Sequence, residues 1–466
     1  VLGQVFVTPY LEKNNISEAK KEASVDLDLE EINAMFAGFI TIDESTNSNT
    51  YFVFSKSLNM DESVPILVWL QGGPGASSLF GLFTEIGPIE ITNSNLELSY
   101  REINWNKEYH LLFFDNPLGT GFSFTEDEDR MATNQDQIGA DLKEALRQFY
   151  LMFPEYVNND LYITGESYAG KYVPSLAYAI HTSNESFCTL KGISIGDGAF
   201  DPYHQFFGFD ELLYYFALVD YNEKEILSNY TSQWLAAMNI NDTVKAFHIF
   251  DQMINGDEFP YPTYYANVTG MSTNYFNFQQ APNADSLSSG YFIEYLASDQ
   301  GRKAFNVGDR NFSVENNTVE TKLLEDWMLG VVPKLQTLLD ASYKVLIYSG
   351  QNDVILGPPM TENALRQLEW FGQKNFLTAT KKVWTYGDDV AGYIRYVHNF
   401  TYTIFRDAGH MVPTDQPDRA LAMVSNFVSG SPLNFTSSST SSSPKSKSKS
   451  TQKHFLHHPH IVLSSS

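Results

Sequence analysis

The stretch Leu161-Tyr-Ile-Thr-Gly165-Glu-Ser167-Tyr-Ala-Gly170-Lys-Tyr runs from an apolar, strand-like segment through a glycine-flanked serine into sequence compatible with a helix. A serine on a strand-to-helix turn has its Oγ exposed above the sheet, because small neighbours let the backbone bend sharply. The pattern therefore indicates that Ser167 is a nucleophile. Glycine and serine flank one another in many ordinary turns, so the interpretation requires a base and an acid elsewhere in the chain.

Few histidines are candidates for the base. The chain has 10 histidines, and in sites built on such a turn the acid and then the histidine follow the serine along the sequence. His410 lies in Phe405-Arg-Asp-Ala-Gly409-His410-Met411, just after a strand-like apolar segment. We expect a loop at the end of a strand to carry His410, and we predict that it is the general base.

The acid is expected at the end of another strand. The apolar run Tyr343-Lys-Val-Leu-Ile-Tyr-Ser-Gly350 is followed closely by Asp353. A carboxylate at that place can hold the imidazole in the correct orientation. We predict that Asp353 is the acid, while Asp388 and Asp389, in a polar loop with no strand before them, are the alternatives.

A glycine-rich turn follows an upstream apolar segment. Residues 64–70 read as a strand and continue into Gln71-Gly72-Gly73-Pro74-Gly75. Glycines allow backbone N–H groups to approach a ligand closely, and we predict that the N–H groups of Gly73 and Tyr168 form an oxyanion hole. Loss of one such donor raises a reaction barrier by roughly 3 kcal/mol.

Taken together, these segments resemble the signature segments of the serine carboxypeptidases. The resemblance rests on Trp69-Leu-Gln-Gly-Gly-Pro-Gly75, Gly165-Glu-Ser-Tyr-Ala-Gly170, Gly350-Gln-Asn-Asp353 and Gly409-His-Met411, and Gly196-Asp-Gly198 is most similar to the vitellogenic-like branch. It extends over about residues 1–430. It implies an α/β-hydrolase fold with a mostly parallel central sheet, helices on both faces and an inserted lid domain.

The same resemblance implies an activity. The chain is expected to release C-terminal amino acids from peptides and proteins at acidic pH, through an acyl-enzyme intermediate and without a cofactor or metal. The resemblance places the substrate carboxylate at Gln71, the Gly72 N–H, Glu85 and Glu166. Two adjacent carboxyl groups cannot both ionise easily, so one pKa rises and the protonated group can donate a hydrogen bond.

Two departures from the family pattern stand out. Gln71 occupies a position that is usually asparagine in this family. Cys188 is the only cysteine, so the intramolecular disulfides usual in the family cannot form. An esterase or acyltransferase with the same triad, and a partner-binding glycoprotein that has lost its activity, remain as alternative functions.

The composition predicts where the protein works. The formal net charge of -26 argues against nucleic acid as a partner, because phosphates would be repelled. No stretch reaches the ~20 apolar residues of a membrane span, and we expect that a leader has been removed before Val1. Asn-x-Ser/Thr sites, which predict a glycoprotein in a secreted or lysosome-like compartment, occur at Asn15, Asn184, Asn229, Asn241, Asn267, Asn311, Asn316, Asn399 and Asn434. The oligomeric state is not predicted.

The organisation of the chain follows from shifts in composition. Apolar strand-like segments alternate with helical ones, such as residues 135–153, in two parts, residues 1–198 and 330–430. The intervening residues 199–329 are rich in tyrosine and asparagine and are expected to form the lid. Residues 431–466 are rich in serine, lysine and histidine and contain no acidic residue, so we predict a disordered tail.

Overall fold

The computed structural model describes residues 3–59, 61–258, 262–271, 276–279 and 290–431. The predicted tail beyond Ser431 and the candidate Asn434 therefore lie outside the described residues. The strands are β1 Ser24–Val25, β2 Met35–Asp43, β3 Ser48–Ser55, β4 Ile66–Leu70, β5 Ile89–Ile91, β6 Leu98–Tyr100, β7 His110–Phe114, β8 Asp160–Glu166, β9 Thr189–Gly196, β10 Lys344–Gly350, β11 Lys382–Tyr386, β12 Asp389–Val397 and β13 Phe400–Phe405.

The helices lie between and after these strands. They are α1 Thr8–Glu12, α2 Ile16–Ala23, α3 Gln135–Met152, α4 Ala169–His181, α5 Pro202–Gln205, α6 Phe209–Tyr215, α7 Tyr221–Asn239, α8 Thr243–Phe250, α9 Tyr264–Thr269, α10 Gly290–Ala297, α11 Asp299–Ala304, α12 Asn317–Lys322, α13 Leu324–Trp327, α14 Val332–Asp340, α15 Pro358–Gln367, α16 Gln373–Thr378, α17 Val412–Asp415 and α18 Pro417–Ser429. A π-helical turn, Gly81–Glu85, follows the glycine-rich turn after β4.

One large sheet organises the molecule. Its 11 strands have the order β1-β2-β3-β7-β4-β8-β9-β10-β13-β12-β11. The central strands from β7 to β13 pair in parallel, and antiparallel strands extend the sheet on both sides. The carboxyl ends of parallel strands meet at the same edge of a sheet, so the loops after β4, β8, β9, β10 and β13 come together there.

The central strands are buried on both faces, which explains their continuous apolar sequence. Along β4, Ile66, Val68 and Leu70 belong to one hydrophobic core, and Leu67 and Trp69 belong to a second core on the other face. Helices α3, α4 and α14 contribute to the first core, and α18 contributes to the second. The predicted mostly parallel sheet with helices on both faces is therefore confirmed.

Helix α3 forms where the spacing of apolar residues in the sequence predicts a helix. Its buried face includes Ile138, Leu142 and Phe149, which are spaced as a helix requires. The helix begins where the Asn134 side chain accepts hydrogen bonds from the N–H groups of Asp136 and Gln137. The observed bounds agree with the predicted helix at residues 135–153 to within one residue.

The segment predicted as the lid lies between β9 and β10. Within its described residues it contains helices α5–α13 and no strand.

Cys188, just before β9, is a free and partly buried thiol, and burial raises its pKa to about 12. No helix among the described residues combines the length and the apolar character needed to cross a bilayer.

Candidate active site

Ser167 occupies a strained turn between β8 and α4. Its φ of 64° lies in the left-handed region that residues other than glycine seldom adopt. The turn is held by the end of β9, because the Ser167 N–H donates to the Gly196 carbonyl at 2.9 Å and the Ser167 carbonyl accepts from the Ala199 N–H at 3.0 Å. Such backbone strain is characteristic of functional sites, where the surrounding structure maintains it.

The glycine-rich turn after β4 touches this serine turn. A Cβ placed on Gly72 would come within 2.6 Å of both the Ser167 Cβ and the Tyr168 N. Only glycine allows this approach without displacing the serine turn. The two turns whose N–H groups are predicted to form an oxyanion hole are therefore neighbours.

His410 and Asp353 form a buried pair. The His410 Nδ1 lies 2.9 Å from the Asp353 Oδ2, and the two side chains are 3% and 0% exposed. The other Asp353 oxygen accepts hydrogen bonds from the N–H groups of Ile355 and Leu356 at 2.9 and 3.2 Å. Phe276, from the lid segment, stacks on the imidazole with ring centroids 4.9 Å apart.

The remaining nitrogen of His410 is available for the serine. Its Nε2 is buried and has no hydrogen-bond partner among the described residues. Ser167 and His410 line the same cleft. The alternative acids lie elsewhere, because Asp388 and Asp389 are exposed and the Asp389 carboxylate is 3.8 Å from Arg419.

The two residues of the predicted oxyanion hole, Gly73 and Tyr168, line the same cleft. Within the described part of the chain, the N–H groups of Gly73 and Tyr168 donate to no backbone carbonyl. The buried Asp115 carboxylate supports the turn that carries Gly73. It accepts from the Ser77 hydroxyl at 2.5 Å and the Ser78 N–H at 3.1 Å. Burial raises the pKa of Asp115 to about 6, although these hydrogen bonds oppose the shift.

The four residues predicted to bind a carboxylate converge beside Ser167. The Trp69 indole N–H donates to the Gln71 Oε1 at 2.9 Å, and the Gln71 Nε2 donates to the Glu166 Oε1 at 2.9 Å. Glu85 and Glu166 are 2% and 0% exposed. Burial raises the pKa of both groups, and the proximity of Glu85 raises that of Glu166 further.

Gln71, Gly72 and Glu166 line a cleft of about 240 Å³ together with Ser167 and His410. The cleft includes residues of the lid segment that the sequence analysis did not single out, namely Asn255, Asp257, Phe276, Val314, Glu315 and Trp327. An aromatic or acidic residue in a lid carries no local sequence signal for a binding surface. Only the folded arrangement brings these residues to the serine.

A buried ion pair links the serine helix to the lid segment. The Lys171 Nζ, in α4, lies 2.7 Å from the Asp326 Oδ2 in α13, with side-chain exposures of 0% and 8%. The Asp326 carboxylate also accepts from the Tyr168 hydroxyl at 2.9 Å. The next residue, Trp327, lines the cleft. Burial lowers the pKa of Lys171 to about 8.

One group of side chains within the described residues could hold a metal ion. It consists of Asp197, Asp353 and His410, which offer one ligand atom each, and these atoms lie within 4.8 Å of one another. The direct hydrogen bond between His410 and Asp353 accounts for much of this proximity without an ion. The His410–Asp353 pair fits the orientation of a catalytic imidazole by an acid.

Six of the glycosylation candidates are exposed, namely Asn15, Asn184, Asn229, Asn241, Asn267 and Asn311. Two others use the nitrogen to which a glycan would be attached. The Asn316 Nδ2 donates to the Gly119 carbonyl at 2.7 Å, and the Asn399 Nδ2 donates to the Tyr343 carbonyl at 2.6 Å. The described surface thus favours the first six positions.

Comparisons with known proteins agree on one family. The family model described as serine carboxypeptidase matches residues 28–430. The chain is 41% identical to venom serine carboxypeptidase of Apis mellifera over 428 residues, which are 91% of this chain and 90% of that protein. It is 40% identical to probable serine carboxypeptidase CPVL of Homo sapiens over 433 residues, with coverage of 91% and 90%.

A mosquito relative and a solved structure extend the likeness. Vitellogenic carboxypeptidase of Aedes aegypti is 36% identical over 426 residues, with coverage of 91% of this chain and 89% of that protein. The crystal structure of Kex1(delta)p, a prohormone-processing carboxypeptidase from Saccharomyces cerevisiae, has a TM-score of 0.74 at 23% identity and covers 88% of this chain and 96% of that one. This structural likeness supports the fold.

Proposed function

The chain belongs to the serine carboxypeptidase family, and we propose that it releases C-terminal amino acids from peptides and proteins through an acyl-enzyme intermediate on Ser167 at acidic pH. The observation that carries this proposal is the convergence in one cleft of the Ser167 turn, His410 and the Gln71–Glu166 pair. A nucleophile beside a carboxylate-binding site suits cleavage at the end of a peptide.

The proposed first step forms an ester. The Ser167 Oγ attacks the carbonyl carbon of the last peptide bond while the His410 Nε2 takes the hydroxyl proton. Asp353 orients the imidazole through the 2.9 Å hydrogen bond. The N–H groups of Gly73 and Tyr168 stabilise the oxyanion. The C–N bond then breaks as the imidazolium gives its proton to the leaving amine.

The second step restores the serine. A water molecule gives a proton to His410 and attacks the ester carbonyl, and the shortened peptide leaves as a carboxylic acid when Ser167 regains its proton. In the first step Gln71, the Gly72 N–H, Glu85 and Glu166 are the proposed partners of the C-terminal carboxylate. A protonated glutamate donates to that carboxylate, which explains the proposed preference for acidic pH.

Two features support a secretory or lysosome-like setting for the proposed glycoprotein. Six candidate asparagines are exposed, and the sequence pI of about 4.7 brings the protein close to neutrality at acidic pH. Residues 199–329 are proposed to act as a lid because Phe276 and Trp327 reach the cleft from that segment.

The direct test compares one blocked dipeptide as its free acid and as its C-terminal amide. The free acid should be hydrolysed with a kcat/KM at least about 100-fold higher, since the amide cannot share the proton of the glutamate pair. Ser167→Ala and His410→Ala should each reduce kcat on the free acid by roughly 10⁴-fold or more while thermal unfolding stays unchanged.

Each possible failure identifies a different error in the proposal. Equal rates on acid and amide would indicate an esterase or endopeptidase. Substantial turnover by Ser167→Ala would show that the nucleophile is another residue. Labelling of wild type, but not of Ser167→Ala, by an active-site serine reagent is the matching check that needs no peptide substrate.

A further inference from the structure

Asp197 is a buried acid beside the triad to which the proposed mechanism gives no role. It follows β9 in Gly196-Asp197-Gly198 and is 0% exposed. Its φ of 41° is unusual for a residue with a Cβ. The Asp197 N–H donates to the Tyr348 carbonyl at 2.8 Å, so the neighbouring strand β10 helps to hold this conformation. A strained, buried aspartate at the catalytic edge of a sheet points to a function.

The Asp197 side chain is directed at the loop that carries Asp353. Its Oδ1 accepts a hydrogen bond from the Gly350 N–H at 2.8 Å. Its Oδ2 is buried and has no hydrogen-bond partner among the described residues. Asp197, Asp353 and His410 each contribute an atom to a group that fits within 4.8 Å. Two carboxyl groups and one imidazole therefore share a closed space.

Among the described residues, the groups around Asp197 include no lysine or arginine. Asp353 and Glu166 face it as acids, and the phenols of Tyr348 and Tyr402 lie close enough to interact with it electrostatically. Within the described residues no lysine or arginine forms an ion pair with Asp197. Burial raises the pKa of Asp197 well above its usual value, and the charge of Asp353 raises it further. A proton between the two carboxyl groups would satisfy the otherwise unpaired Oδ2.

We propose that Asp197 is a positioning residue that retains a proton and donates it as a hydrogen bond to Asp353, so that the two carboxyl groups together carry one negative charge beside His410. The inference rests on the proposed triad. One charge orients the imidazole and stabilises its protonated form during the reaction. Two charges would stabilise the protonated form so strongly that His410 would no longer accept the Ser167 proton.

Two substitutions of Asp197 distinguish the effect of its hydrogen-bond donor from the effect of its negative charge. Asp197→Asn keeps an oxygen for the Gly350 N–H and an N–H for Asp353, but it cannot ionise. We expect its kcat to stay within about threefold of wild type and the acid limb of its kcat/KM profile to stay in place. A folded Asp197→Asn that loses more than about 100-fold in kcat would overturn the proposal, because an ionised Asp197 would then be required.

Asp197→Ala removes the donor and leaves Asp353 more basic. We expect kcat to fall by roughly 10- to 100-fold with little change in KM, and the acid limb to move to higher pH by about half a unit to one unit. A purely structural role would reduce stability but leave the acid limb in place, and that result would also overturn the proposal. The control is Asp201→Asn, at another buried aspartate, which bonds to His204. This variant should leave kcat and the acid limb unchanged.

A spectroscopic measurement covers the case in which Asp197→Ala does not fold, and it needs no hydrolysis. The infrared difference between wild type and Asp197→Asn at pH 6 should show the loss of a protonated carboxyl band. Loss of carboxylate bands instead would mean that Asp197 is ionised and would contradict the proposal. Because this result is independent of turnover, it also distinguishes failure of this inference from failure of the proposed peptidase activity.

Discussion

The Gln71 amide can face the proposed carboxylate site in only one orientation. The Trp69 indole can only donate, so the Gln71 atom 2.9 Å from it must be the oxygen, and the Gln71 nitrogen must face Glu166. One Glu166 oxygen is thereby occupied as an acceptor, while the other has no partner among the described residues. That second oxygen is the natural place for a proton shared with Glu85.

The first prediction concerns Glu166→Gln. Burial raises the pKa of Glu85 to about 8 and raises that of Glu166. A raised pKa means that the proton is present at acidic pH and is lost as pH rises, after which the anionic site repels the substrate carboxylate. Between about pH 6 and 9, KM of wild type should therefore rise by up to roughly tenfold per pH unit.

The glutamine variant should show a clearly weaker rise in KM, because its amide still donates but one ionisable group is gone. The measurement is KM on a blocked dipeptide across this pH range. Glu155→Gln, at a surface glutamate whose side chain is 45% exposed, is the matched control and should follow wild type. If Glu166→Gln and wild type have the same KM profile, Glu166 is not the titrating group.

At the residue scale, the sequence predicted the positions that end strands and missed those that depend on neighbouring strands. Ser167, Asp353 and His410 each follow an apolar run, so pattern and order along the chain were sufficient to name them as candidates. Asp197 resembles any turn aspartate in the sequence. Its place beside Asp353 depends on the parallel register of β9 and β10, in which Gly196 pairs with Tyr348.

At the element scale, α4 is fixed to the lid segment by the Lys171–Asp326 pair. Breaking a buried ion pair on one side leaves an uncompensated charge in the interior, which destabilises a protein by about 3–5 kcal/mol. We therefore predict that Lys171→Met lowers the free energy of unfolding by about this amount. Adding Asp326→Leu to Lys171→Met should restore much of the loss, because no unpaired charge then remains.

Denaturant unfolding of the single and double variants measures both effects. Lys334→Met is the control, since its partner Asp136 is 85% exposed and a surface pair contributes about 0–1 kcal/mol. A loss of less than about 1 kcal/mol for Lys171→Met would show that the pair does not hold α4 to α13.

The elements themselves were only partly predictable. The buried parallel strands stand out as apolar runs, whereas β12 interrupts its apolar residues with Gly392 and Arg395 and alternates between buried and exposed positions. This strand forms by antiparallel pairing with β11 and β13 on either side, so its local sequence is a weak signal. The Lys171–Asp326 pair joins residues 155 positions apart, and no local pattern indicates it.

At the scale of the whole molecule, buried acids tie stability to pH. Burial raises the pKa of Asp115 to about 6 and of Glu85 to about 8, both above their usual values near 4. A carboxyl whose pKa is raised by folding contributes stability fully below about pH 4, and this contribution is lost as pH rises through the folded value. Each such group contributes about 1.4 kcal/mol per pH unit between its two pKa values.

We predict that the thermal unfolding midpoint is several degrees higher at pH 5 than at pH 8. Calorimetry or circular dichroism across this range measures it. Glu85→Gln, which cannot ionise, should reduce the difference between the two midpoints. A midpoint that increases from pH 5 to pH 8 would show that these acids are not protonated in the folded protein.

Because Cys188 is a lone, partly buried thiol, the protein can be handled in the presence of reductants. With a single cysteine, the chain maintains its 11-stranded sheet without an internal disulfide. Thiol reductants therefore remove nothing from the folded state. Folding of the chain requires no step that forms an internal disulfide.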